Sequence, residues 1–319
     1  MKKTGLLLVL VLAGVASAQT TFAPAAAGNP EGVTANSATF PTIRVETPNY
    51  ADLYCSGFIS KHLLPNANFV AGGLFTPSTT KYVNGDLIYV SGGSYQVGQQ
   101  FTVVRELKDP NHFETFDGQR KLLGQAGQPY AELGQVKIVD TRNKNMAVAQ
   151  VQYTCDPVNP GDFLIPFVDK QSISFQPPHQ LDRFLPAGGR LAGRVILAKD
   201  FDTELGTGAK LYINVGSNQG VQVGQYFRAV RRYDADLRDP VDSLSFKASI
   251  SEDTQKDPPS IEQHMFTRNS GPQIHVHDMP RRTVAEIVII GVTPTTATAM
   301  ITSALEDVHV GDGVETEQQ

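Results

Sequence analysis

From about Tyr50 onward, apolar and polar residues alternate in short runs broken by clusters of Gly, Asn and Asp. "LYCSGFIS" (53–60) alternates, "NFVAGG" (68–73) follows, and "GDLIYVS" (85–91) is β-branched and aromatic. "QQFTVVRE" (99–106), "LGQVKIVDT" (133–141), "MAVAQVQYT" (146–154) and "NPGDFLIPF" (159–167) continue the series. Period-two runs of this length between turn residues predict β-strands, and no long 3.6-period stretch competes with them.

The second half repeats the order. "LAGRVILA" (191–198) matches "CSGFIS", and "AKLYINVG" (209–216) matches "GDLIYVSG". "VGQYFRAVRR" (223–232) matches "VGQQFTVVRE", and "RTVAEIVIIGV" (282–292) matches "LGQVKIVDT". "TATAMITS" (296–303) and "HVGDGVE" (309–315) match the last two runs of the first half. Matched elements in one order predict an all-β chain of two tandem small β-barrel domains, about six strands each, from an internal duplication. The expected domains are residues 49–168 and 187–316, with a loop insertion at 233–280 in the second. Residues 169–186 carry three prolines and read as a surface linker, because proline removes a backbone donor.

Four turns share a Gly followed by Asp or Gln: Gly98-Gln99, Gly161-Asp162, Gly224-Gln225 and Gly311-Asp312. Glycine admits the positive φ that a sharp corner between strands needs, and the polar residue hydrogen-bonds amides the turn leaves open. Tyr89 and Tyr212 hold matching places in the repeat, so both are expected in a barrel wall.

These turns resemble the Gly-Asp box of cradle-loop barrels. The longer pattern "LYINVGSNQGVQVGQYFRAVRR", "TVAEIVIIGVTPTTATAMITS", "VHVGDGVE" resembles the C-terminal domain of flagellar assembly protein T and related bacterial envelope proteins. That resemblance implies a barrel in the cell envelope and no particular reaction; the insertion at 233–280 departs from it. "VNPGDFLIPF" is similar to the end of a LysM peptidoglycan-binding module, although the helical opening of such a module has no counterpart in this chain.

The start of the chain adds a compartment. Lys2 and Lys3 precede a short apolar run from Leu6 to Val15, and Ala16-Ser17-Ala18 forms a small-residue cleavage site. Residues 1–18 therefore read as a secretory signal peptide. Residues 19–48, rich in Ala, Thr, Pro and Gly, read as a flexible leader. No later stretch has membrane-spanning length, so the expected location is exported: periplasm or cell surface. Signal cleavage makes the formal net charge of −5 two units more negative, which argues against a nucleic-acid partner. In an exported protein Cys55 and Cys155 are expected to form a disulfide clipping the ends of the first domain together, worth about 4–5 kcal/mol by loop closure; two separate buried thiols are the alternative.

Chemistry is sparse. "QIHVHDMP" places His275, His277 and Asp278 together, and two imidazoles at i and i+2 on a strand share a face. With His264 they make a candidate metal site, set within an acidic loop. No nucleophile elbow or phosphate loop is present. The Asp200, Asp202 and Glu204 carboxylates read as a polar turn. Tyr82, Tyr95 and Tyr130 fall in predicted turns and are candidates to face a ligand. The expectation is an exported non-enzymatic envelope protein without a cofactor, acting as a structural and protein-interaction module, with strand addition as the mode of contact. A peptidoglycan- or glycan-binding module and a metal-dependent enzyme using His275 and His277 are the alternatives. Neither partner nor oligomeric state is readable.

Overall fold

The computed structural model describes residues 45–232 (apart from 112, 175, 178–181, 185 and 189), the backbone of 260–262 and 273–275, and residues 280–316. The chain is nearly all β, and its two barrels lie within one compact unit, Ile43–Gln319.

The described chain opens with a short helix, α1 (Tyr50–Tyr54), and a short strand, β1 (Phe58–Ser60). The first barrel follows: β2 (Phe69–Gly73), β3 (Leu87–Ser91), β4 (Gln100–Glu106), helix α2 (Gln119–Ala126), β5 (Gln128–Asp140), β6 (Met146–Thr154) and β7 (Phe163–Pro166). Its strands close in the order β5-β4-β7-β2-β3-β6, with β1 added outside the ring on β5. The second half holds β8 (Ala192–Ala198), β9 (Glu204–Leu205), β10 (Lys210–Ile213), β11 (Tyr226–Arg231), β12 (Ser260–Glu262) and β13 (Gln273–His275). Then come β14 (Arg282–Val292), β15 (Ala297–Ala304), β16 (Val308–His309) and β17 (Gly313–Thr316). Here the ring is β10-β15-β14-β11-β17-β8. Replacing each strand by its counterpart in chain order reproduces the ring of the first barrel. The two halves have one topology.

The counterpart of "LAGRVILA" is β2, not "CSGFIS" (55–60). β8 lies between β10 and β17 just as β2 lies between β3 and β7. Residues 50–54 are helical instead of extended because Asn49 caps them. Its side chain accepts from Asp52 N at 3.1 Å, while the Asp52 carboxylate accepts from Asn49 N at 2.9 Å. α2, in the connection between the predicted strands "QQFTVVRE" and "LGQVKIVDT", is likewise helical.

Burial differs between the barrels in a way the sequence pattern reflects. In the first, β3 and β6 alternate between buried and half-exposed positions. In the second, β14 and β15 are buried almost continuously. Inside the second barrel, Leu211, Ile213, Phe227, Ile287 and Ile301 pack together. Outside it, Val288, Ile290 and Met300 pack on Leu53 and Tyr54 of α1. Ile196, Leu197 and Tyr212 pack on Ile59 and on Ala126 of α2. A strand covered on both faces has no reason to alternate.

Residues 45–60 act as a clasp between the halves. Val45 and Glu46, at the end of the stretch read as leader, bond to β15, with Glu46 N donating to Thr302 O at 2.8 Å. The hydroxyls of Tyr212, Thr298 and Thr296 donate to the carbonyls of Ser56, Gly57 and Ile59 at 3.0, 3.0 and 3.1 Å. Lys210 pairs with Asp52 at 2.5 Å. Gly57 fits here because its φ is +68° and a Cβ would come within 2.5 Å of Tyr130 O. The interdomain segment is held too: Lys170 Nζ donates to the buried Glu132 carboxylate at 2.7 and 2.8 Å and to Leu53 O at 2.7 Å.

Candidate functional site

Each barrel is locked at one mouth by an arginine at the end of its third ring strand and the aspartate of its Gly-Asp turn. In the first, Arg105 Nε and Nη2 donate to the two carboxylate oxygens of Asp162 at 2.7 and 2.8 Å, and Nη2 also reaches Pro157 O at 3.0 Å. In the second, Arg231 Nε and Nη2 donate to Asp312 at 2.9 and 2.8 Å, and Nη2 reaches Asp307 O at 2.6 Å. The spare lone pairs of each aspartate accept the backbone N–H three residues back, from Asn159 at 2.6 Å and from His309 at 2.8 Å. Bidentate guanidinium–carboxylate pairs of this kind are directional and strong. Pairing with Asp162 also raises the Arg105 pKa above its ordinary value. "VVRE" and "VRR" carried the signal, an arginine closing each matched strand.

At the mouth of the second barrel the strand ends leave a cleft of about 290 Å³. Arg194 of β8, Arg231, Arg232, Arg281, His309, Asp312 and Glu315 line it, and the first half supplies Thr115 and Phe116. Phe116 comes from the β4–β5 connection and inserts into the core of the second barrel. A neighbouring contact holds that connection, with Gln119 Nε2 donating to Ile196 O at 3.0 Å. The Arg194 guanidinium lies over the Phe116 ring, 4.5 Å from its centroid. The site is therefore composite, and α2 fixes its wall.

The acids of the cleft are engaged. Asp312 is consumed by Arg231 and the turn amide. Glu315 accepts from Arg281 Nη1 and Nη2 at 3.0 and 2.7 Å and also pairs with Arg228. Burial alone would raise the Glu315 pKa, but Arg281 and Arg228 together outweigh it and hold the carboxyl below its ordinary value. Arg194 and Arg232 have no carboxylate partner among the described residues.

Gly98, Gly161, Gly224 and Gly311 all sit at turns with φ of +90°, +93°, +85° and +115°. Gln99 and Gln225 accept from Gln96 N and Gln222 N, the role that aspartate takes in the other two turns. Cys55 and Cys155 form a disulfide between the end of α1 and the end of β6. Two of the three tyrosines expected to face a ligand do not. Tyr82 is buried in the first core with its hydroxyl on Thr76 and Thr79 O, and Tyr130 is buried with its hydroxyl accepting from Leu64 N. Tyr95 is half-buried, packed edge-on against Phe101 with its hydroxyl donating to Ser91 O. A rigid ring needs its apolar body covered, and the ends of these barrels use tyrosine for that. Tyr212 is fully buried, whereas Tyr89 at the matching place is half-exposed. Of the histidine cluster, His275 ends β13, and the placement of His264, His277 and Asp278 lies outside the described residues.

No family model matches the chain, and no curated protein matches it by sequence. No helix among the described residues is long and apolar enough to cross a membrane.

Proposed function

We propose that this protein is an exported, non-enzymatic interaction module of the cell envelope, and that a partner docks in the cleft at the mouth of the second barrel. The carrying observation is that the cleft is built by both halves. Phe116 and Thr115 come from the first and the arginine-lined strand ends from the second, and the clasp at 45–60 holds the two in register. A site assembled across a rigid joint is pre-organised, which lowers the entropy cost of binding. The resemblance of the second barrel to the C-terminal domain of flagellar assembly protein T, together with the signal-like start, supports the envelope setting.

Closure of both rings changes the expected mode of contact. A closed barrel offers no sheet edge for strand addition. β1, the added strand, pairs with β5 on one side, and the carbonyls of Ile59 and of Gly57 just before it accept the threonine hydroxyls of the second barrel on the other. Contact then passes through the cleft and its rim.

A photo-reactive residue in place of Thr115, introduced in cells, tests this. It is expected to give a discrete crosslink to an envelope component identified by mass spectrometry, while the same residue at Lys144 on the first barrel does not. Equal or absent capture from both positions overturns the docking site.

A further inference from the structure

We infer that the cleft takes a carboxylate, presented by an acidic peptide, and that Arg194 and Arg232 hold it. This rests on the docking reading above and adds the chemistry of what docks.

The duplication supplies an internal control. Superposing the two rings by strand register pairs Arg231 with Arg105 and Asp312 with Asp162, so this clamp is common to both barrels and belongs to the fold. The other charges are not common. Arg194 lies opposite Gly313, and its counterpart Phe69 lies opposite Phe163. Arg232 follows Arg231 where Glu106 follows Arg105. Arg282 lies opposite Arg231 and Ala131 opposite Arg105, so Arg281 stands where the first barrel has the buried Tyr130. Glu315 stands where it has Ile165. The fold needs none of these charges at these places, since the first barrel closes without them.

The pairing pattern then selects the ligand. Glu315 meets Arg281 and Arg228, and Asp312 meets Arg231, which leaves Arg194 and Arg232 as the cations of the cleft without a carboxylate partner among the described residues. They make a locally positive mouth on a chain of net charge −5. An anion is the ligand that such a cleft concentrates. Arg194 is positioned through its face, on the Phe116 ring, which leaves its in-plane N–H fork for a planar two-oxygen acceptor. A volume of about 290 Å³ admits a side chain or two and not a folded domain.

The test uses the intact, disulfide-linked protein and a fluorescein-labelled hexaglutamate peptide followed by anisotropy. Wild type is expected to bind it, with affinity falling as salt rises, and not to bind hexalysine. Arg194→Gln and Arg232→Gln should each weaken binding by about ten-fold. Arg232 is exposed, so its variant reports even if loss of the Phe116 contact unfolds Arg194→Gln. A variant with Arg142→Gln and Lys144→Gln, which loses two charges from the exposed surface of the first barrel where each cleft variant loses one, should bind as wild type does. Equal binding by Arg232→Gln and wild type overturns the assignment, as does equal weakening by the surface pair. Displacement of the peptide by inorganic phosphate at lower concentration than by free glutamate overturns the carboxylate in favour of a phosphate. Absence of hexaglutamate binding alongside a discrete Thr115 crosslink overturns this inference and leaves the docking site standing.

Discussion

Arg231 and Asp312 meet through paired N–H···O bonds of 2.9 and 2.8 Å across 81 residues of chain, and Arg105 and Asp162 repeat the arrangement across 57. The same guanidinium atoms are used in both, and the same third acceptor, a carbonyl five residues before the aspartate. Shared topology and this shared clamp favour descent from one doubled unit.

Removing one member of each clamp should separate the barrels energetically. Arg231 and Asp312 are both buried, whereas the Arg105 side chain is 33% exposed. Asp312→Asn is expected to cost about 3–5 kcal/mol, because it removes the charged, bidentate partner of a buried guanidinium. Asp162→Asn should cost less, about 1–3 kcal/mol, since water reaches Arg105. Urea denaturation of the two variants checks the order, and equal costs would contradict it.

Tyr212 makes the joint between barrels sensitive to alkali. Burial pushes its phenol well above the ordinary value of 10.0, with Glu132 and Asp200 adding to the effect. Because the folded value is raised, its contribution to stability is complete below pH 10 and is lost as pH rises further. At pH 11 the loss is roughly 1.4 kcal/mol from this group. Tyr212→Phe should cost about 1 kcal/mol at neutral pH, by orphaning the Ser56 carbonyl. It should also show a shallower fall in Tm between pH 9 and 11 than wild type.

Glu315 makes the cleft sensitive to acid. Its folded pKa lies below the ordinary 4.5, so its contribution is present above that value and is lost as pH falls through the folded one. Glu315→Gln should lower Tm at pH 7 and converge on wild type as pH falls through the lowered folded value. Parallel Tm profiles for the two proteins would contradict the ion-pair account.

Gly57 and Gly161 both have positive φ but differ in surroundings. An added Cβ at Gly161 meets nothing within 4 Å, while at Gly57 it meets Tyr130 O at 2.5 Å and the Tyr212 hydroxyl at 2.6 Å. Gly161→Ala should cost about 1–2 kcal/mol from backbone strain alone. Gly57→Ala should cost more and should loosen the joint between barrels, which hydrogen exchange at β15 would report.

The strands and their corners were legible in the residues because their causes are local. Alternation in "MAVAQVQYT" follows from one wet face, and the Gly-Asp turns follow from backbone sterics at Gly161 and Gly311. The disulfide was legible from the expected compartment and from the placement of the two cysteines. α1 escaped notice although Asn49 and Asp52 spell its capping box, because the alternation of "LYCSGFIS" starts at Leu53 and takes in its last two residues. Tyr82 and Tyr130 were misplaced for a different reason: sequence position near a turn says nothing about which way a ring points.

The two small barrels and the order of their strands were thus written in spacing and glycine placement, where each residue answers only to its neighbours along the chain. The clasp at 45–60, the insertion of Phe116 into the other barrel and the choice of which arginines keep a partner all rest on contacts made across the fold. Tyr212 reaches Ser56 over 156 residues and Thr298 reaches Gly57 over 241. No local pattern encodes such distances, because the side chains that satisfy one another are brought together only when both rings have closed.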